Sequence, residues 1–157
     1  MTNRLKGVTL VETLLYIGLF SVMMLVLLNF MLSTQEAMSR TNIRGELDNS
    51  LQFVARHIND SFEKAQSLDQ ENTTFDTDDG EIQLTFQEGD KTYTLSNNNL
   101  LFDGTPIHSS KYSVSKFNIE PVYKGESILI GVRVNITMHS KKEPSFTQDL
   151  NLLISLK

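Results

Sequence analysis

The run from Val8 to Leu32, twenty-five residues with one charge at Glu12, constrains this chain more than anything else in it. As a helix it is about 37 Å long at ~1.5 Å per residue. The hydrocarbon core of a bilayer is about 30 Å thick, so the run can span it with slight tilt. A secretory signal peptide has an apolar stretch of roughly 7–15 residues followed by a small-residue cleavage site. This run is longer, and no such site follows Leu32. Arg4 and Lys6 precede it, which by the positive-inside rule puts the N-terminus in the cytoplasm and the rest of the chain outside, as a single-pass membrane protein. An acid near the centre of a membrane helix costs roughly 2.5–3.5 kcal/mol. Glu12 lies nearer the cytoplasmic end, where the cost is smaller, yet it still calls for a partner.

Beyond the anchor about 125 residues remain, enough for one modest core. This outer part has twelve Lys and Arg (14 less Arg4 and Lys6) and eighteen Asp and Glu (19 less Glu12), a formal charge of −6. An acidic surface argues against general affinity for nucleic acid, which needs clustered cations to displace counterions. There are no cysteines, so disulfides and thiolate metal sites are excluded.

The order Lys6-Gly7-Val8-Thr9-Leu10-Val11-Glu12 resembles the class III signal of type IV prepilins and pseudopilins: a short basic leader, glycine, a hydrophobic residue, then Thr-Leu-Val-Glu. The match covers Met1 to about Leu32; Val8 stands where the family usually has Phe. The resemblance implies that residues 1–7 are a leader, that a prepilin peptidase cuts between Gly7 and Val8, and that the new amino group of Val8 is N-methylated. It implies further that Glu12 meets the amine of a neighbouring subunit during assembly. The implied partners are the peptidase, other pilin or pseudopilin subunits and an inner-membrane assembly platform, with lipid around the helix before assembly. Two of these steps make physical sense. A residue without Cβ lets catalytic carboxylates approach the backbone at Gly7. A cation within hydrogen-bonding reach relieves the burial cost of a carboxylate.

The helical signal continues past the anchor. Ile43, Leu47, Leu51, Val54, Ile58, Phe62, Ala65 and Leu68 recur at spacings of three and four, one apolar stripe. One helix from about Thr9 to about Leu68 is expected, roughly 90 Å long, with residues 8–32 apolar all round and 33–68 amphipathic. Gly45 costs it about 1 kcal/mol relative to alanine. Asp69 to Gly80 is polar and reads as a loop. The period then becomes two. Ile82, Leu84 and Phe86, a turn at Gln87–Asp90 and Thr92–Leu95 form a hairpin. Leu100–Phe102 is a third strand with a turn at Asp103-Gly104. Tyr112, Val114, Phe117 and Ile119 mark a fourth, with Pro121 near its end. Ile128 to Met138 is the longest, with Ile128, Ile130, Val132, Val134, Ile136 and Met138 on one face. Phe146 to Leu156 closes the sheet, with Leu153 opposite Leu150, Leu152, Ile154 and Leu156. A long helix before an antiparallel meander over 69–157 is an α+β arrangement. It is also the fold the pilin resemblance implies. Beyond the anchor the similarity is looser, to minor pilins of the PilW/GspJ-like group.

Enzyme chemistry is not indicated. His57, His108 and His139 are scattered and read as surface or edge residues. No glycine-rich phosphate loop appears, and the serines lack a nucleophile-elbow context. Asp76-Thr-Asp78-Asp79-Gly80 faintly resembles a calcium loop, but its glycine comes one position early and position twelve is Gln87 rather than an acid. No cofactor or metal is expected. The leading reading is a structural subunit, a minor pilin or pseudopilin of a type IV pilus-like filament, the sequence not separating pilus from secretion or competence systems. The alternative is a monomeric membrane-anchored extracytoplasmic binding domain using a sheet edge or the 69–80 loop.

Overall fold

The structure, a computed structural model, describes residues 9–125 and 128–156. One helix, α1 (Leu10–Lys64), is followed by eight strands: β1 (Ser67–Thr74), β2 (Glu81–Phe86), β3 (Gly89–Ser96), β4 (Asn99–Phe102), β5 (Thr105–Pro106), β6 (Tyr112–Lys124), β7 (Ile128–Ser140) and β8 (Thr147–Ser155). The architecture is the α+β one that the periodicities predict. The chain divides into two compact units, residues 1–42 and 43–157. In the first, the apolar side chains of α1 are exposed throughout.

In the second unit, Leu47, Leu51, Val54, Ile58 and Phe62 of α1 are buried in one core. The stripe works because residues three and four apart share a helix face. Opposing it are Ile82, Leu84, Tyr93 and Leu100 from β2–β4, and Val114, Phe117, Ile119, Val132, Val134, Ile136, Met138 and Ile154 from β6–β8. The single expected sheet is in fact two, both antiparallel: β1-β2-β3-β4-β5 and β6-β7-β8.

Three other boundaries differ from expectation. The amphipathic helix expected over 33–68 stops at Lys64, and β1 begins at Ser67 inside its last turn. The final helical bond runs from Ala65 N–H to Ser61 O (2.9 Å); the next N–H, of Gln66, goes instead to Thr85 O (2.8 Å). Leu68 fits either period, and pairing with Leu84 of β2 wins. Most of the expected 69–80 loop is likewise ordered structure. Its first half completes β1, where the Asp69 carboxylate accepts from Glu71 N–H (3.0 Å) and Asn72 N–H (3.2 Å) across a register shift.

Its second half is laced to the outer edge of β6. Asp76 N–H donates to Ile119 O (2.8 Å), Gly80 N–H to Phe117 O (2.7 Å) and Phe117 N–H to Asp78 O (2.8 Å). This strap ties one sheet to the other. A Cβ at Gly80 would fall 2.8 Å from Phe117 O and against the Ile119 side chain, so only glycine permits the approach. Pro121 is harmless on an edge strand, where its missing N–H breaks no ladder bond.

The third difference concerns faces. Ser115 is an extra residue in β6 and Ile130 an extra residue in β7. The first bulge allows Tyr112 and Val114 to share the core with Phe117 and Ile119, as the sequence reading required. The second turns the end of β7 over: Val132 to Met138 point inward as expected, whereas Ile128 and Ile130 are exposed.

Candidate functional site

Gly7 and Val8 lie outside the described residues. Glu12 is in the first turn of α1, exposed. The Thr9 hydroxyl accepts the Glu12 backbone N–H (3.3 Å), and Thr9 O accepts the Thr13 N–H (3.1 Å), so Thr9 caps the helix. Thr9-x-x-Glu12 thus has the capping-box spacing, a signal that the sequence itself carries. Among the described residues the Glu12 carboxylate accepts one bond, from the Tyr16 hydroxyl one turn on (3.2 Å). A carboxylate in the first turn is also favoured by the helix dipole. From Leu10 to Leu32 the large apolar side chains stand exposed, Leu10 at 79% and Phe30 at 70%. Their helix is long and apolar enough to cross a membrane near the N-terminus, consistent with a single-pass anchor.

The head carries a second feature that sequence reasoning missed. A groove of about 700 Å³ lies between α1 and residues 105–112, lined by Phe53, His57, Pro106, Ile107, His108 and Tyr112 among others. Lys111 and the Tyr112 hydroxyl both donate to Glu46 Oε2, at 3.0 and 3.2 Å. These bonds, that from Lys111 foremost, hold the Glu46 carboxyl below its ordinary range. His57 is half-buried rather than a free surface residue. Its Nδ1 lies 2.7 Å from the Tyr93 hydroxyl, which donates to Ser61 Oγ (2.7 Å). The ring packs edge-on to Phe102 at 5.0 Å. Burial lowers the imidazole pKa and pushes the Tyr93 phenol up. His108 Nε2 accepts the Leu100 N–H (3.1 Å) while Nδ1 sits 3.0 Å from Ser109 O, which fixes the neutral tautomer protonated on Nδ1.

The Tyr93 phenol is a buried strut between β3 and α1, and the His108 ring holds the Leu100 N–H of β4. Asp78 of the calcium-like segment pairs with Lys116 (2.9 Å), and among the described residues no three His, Asp or Glu side chains could together hold a metal. No family model, curated protein or solved structure matches the chain.

Proposed function

We propose that this chain is a minor pilin or pseudopilin, a non-enzymatic structural subunit of a type IV pilus-like filament. It would be processed by a prepilin peptidase after Gly7 and assembled through its N-terminal helix. The observation that carries the reading is Glu12: a carboxylate in the first turn of a helix whose apolar side chains stand exposed, with one neutral hydroxyl as its partner among the described residues. The Gly7-Val8-Thr-Leu-Val-Glu12 order supports it. Cleavage would create an ammonium group at Val8, four residues before Glu12. On a neighbouring subunit it would supply a charge-assisted bond, about twice as strong as a neutral one. Subunits so joined would meet through unlike surfaces, which leaves an assembly open to growth.

Mass spectrometry of the mature protein tests the proposal. The expected N-terminus is an N-methylated Val8; a functional chain that retains Met1 overturns it. Glu12→Ala should still insert in the membrane yet be lost from sheared filaments, and normal incorporation would refute the assigned role. The groove beside Phe53 favours a second reading, a monomeric membrane-anchored binding domain. That reading requires an uncleaved anchor, so the same measurement separates the two.

A further inference from the structure

Among the described residues every sheet edge of the head but one is blunted. β1 is interrupted by its bulge and the Asp69 turn. β5 is two residues long and ends in Pro106. The outer edge of β6 is covered by the 76–80 strap at Phe117–Ile119 and carries Pro121 just beyond it. β8 differs: it is nine residues long, pairs with β7 without a register shift, contains no proline or lysine, and carries one charge, Asp149. Among the described residues no strand lies beyond it. An open edge of this kind is a template for another strand, and folded proteins rarely leave one unprotected.

A polar ladder indicates what fits there. On the outer face Asn135 Nδ2 donates to Glu120 Oε1 (2.9 Å), and Asn151 Nδ2 donates to Asn135 Oδ1 (2.5 Å). The ladder crosses the three strands and stops at the edge with Asn151, whose carbonyl oxygen and second N–H remain for the next strand. Another side-chain amide answers such a group with an acceptor and a donor in one plane. We infer that the occupant is a second copy of this chain, its β8 antiparallel to the first about a two-fold axis at Asn151.

The register is self-complementary. Asn151 faces Asn151 of the copy, and Leu150 and Leu152, half-buried at the edge, face Leu152 and Leu150. Asp149 faces the exposed Leu153, so the two Asp149 carboxylates stand about 14 Å apart at ~3.3 Å per residue, beyond the Debye length of about 8 Å. The edge is about 30 Å long, and the interface covers about 600 Å² in total, taking a sheet as about 10 Å thick. That is half or less of what a stable complex in solution buries. The dimer therefore depends on confinement: two copies anchored in one membrane meet at a raised effective concentration. Because a two-fold contact closes on itself, it belongs to the membrane-resident form. It does not depend on the filament reading.

The absence of native cysteine makes disulfide trapping direct. Facing residues of an antiparallel pair have Cα atoms about 4.5–5.5 Å apart, within disulfide range. Full-length Asn151→Cys in phosphatidylcholine vesicles, under mild oxidation, should form a linked dimer at least about tenfold faster than Glu88→Cys on the β2–β3 turn. A mixture of Asp149→Cys and Leu153→Cys chains should cross-link, whereas Asp149→Cys alone should not. Adding Asn151→Lys to both chains of the mixture should abolish the link, since like charges then face each other. The pairing is overturned if Asn151→Cys links no faster than Glu88→Cys, or if Asp149→Cys alone links as fast as Asn151→Cys. The vesicles hold no peptidase, so cross-linking by the uncleaved chain bears on the pairing alone; the pilin reading stands or falls on the N-terminus of the functional protein.

Discussion

Gly80 and Gly45 are both glycines, yet replacing each with alanine should shift stability in opposite directions. A Cβ at position 80 would lie 2.8 Å from Phe117 O, a backbone atom that cannot swing aside. Either the strap or β6 must move. Overpacking of this kind costs about 1–3 kcal/mol. Lengthening the 2.7 Å bond from Gly80 N–H to Phe117 O forfeits about 1 kcal/mol more. The reduced freedom of the unfolded chain returns about 0.4–1 kcal/mol. The net loss is about 1–3.6 kcal/mol, a fall in Tm of about 4–15 °C for a domain of this size. At Gly45, nothing lies within 4 Å of the added carbon. There the helical preference for alanine should raise stability by about 0.5–1 kcal/mol. Thermal unfolding of both full-length variants in the same detergent, followed by far-ultraviolet circular dichroism, makes the comparison. A Gly80→Ala midpoint within about 1 °C of the parent would refute the strap as a tight splice between the sheets.

Tyr93→Phe should lower stability by about 1–2 kcal/mol in urea titration, with no change in slope, because it leaves the buried Ser61 hydroxyl without its donor; an unchanged midpoint would show that bond to be idle. Burial holds the His57 imidazole below its ordinary 6.5, so the unfolded chain takes up that proton first. The associated stability is full above about pH 6.5 and is lost as pH falls below it. Tm should therefore decline between about pH 7 and pH 5, and His57→Gln should flatten the decline; an equal slope in the variant would point to other groups.

The large features were legible because they rest on simple periods. Leu47 to Phe62 repeat at three and four and are buried; Leu150 to Leu156 alternate, and Leu153 faces out. Asp103-Gly104 makes the two-residue turn its residues suggest, both at positive φ. Asn97-Asn98 makes another of the same kind, φ 50° and 61°, without the glycine that marks such turns. What periodicity could not supply was whatever depends on non-local partners. Leu68 sits on the helical stripe, but its backbone finds Leu84. The 74–80 segment has no apolar alternation, so nothing local betrays that β6 offers it an edge. The bulge at Ile130 undoes the alternation of β7 at its start, since one extra residue exchanges the two faces. The His57–Tyr93–Ser61 network joins residues more than thirty apart, and no spacing rule reaches that far. In the candidate site, Glu12 stood out by charge alone, whereas its capping geometry required only the Thr9-x-x-Glu12 spacing.

The two stretches of α1 answer different physical demands, and the contrast bears on assembly. From Leu47 to Phe62 the helix buries one stripe in a core supplied by its own chain. From Leu10 to Leu32 its large apolar side chains stand exposed among the described residues, although soluble monomers rarely expose apolar patches beyond a few hundred Å². Lipid would satisfy the leucines and phenylalanines but not Glu12. Among the described residues that carboxylate has the helix dipole and one neutral bond from Tyr16. A bundle of like helices would satisfy the same apolar surface by packing and could also bring a cation to Glu12. The difference between the two environments therefore falls on one residue. Removing the Glu12 charge should leave the lipid-embedded state unharmed, or favour it, while erasing the advantage of the bundle. Retention in the membrane together with loss from filaments is thus the outcome specific to this argument; loss of membrane insertion would mean that Glu12 serves the helix itself.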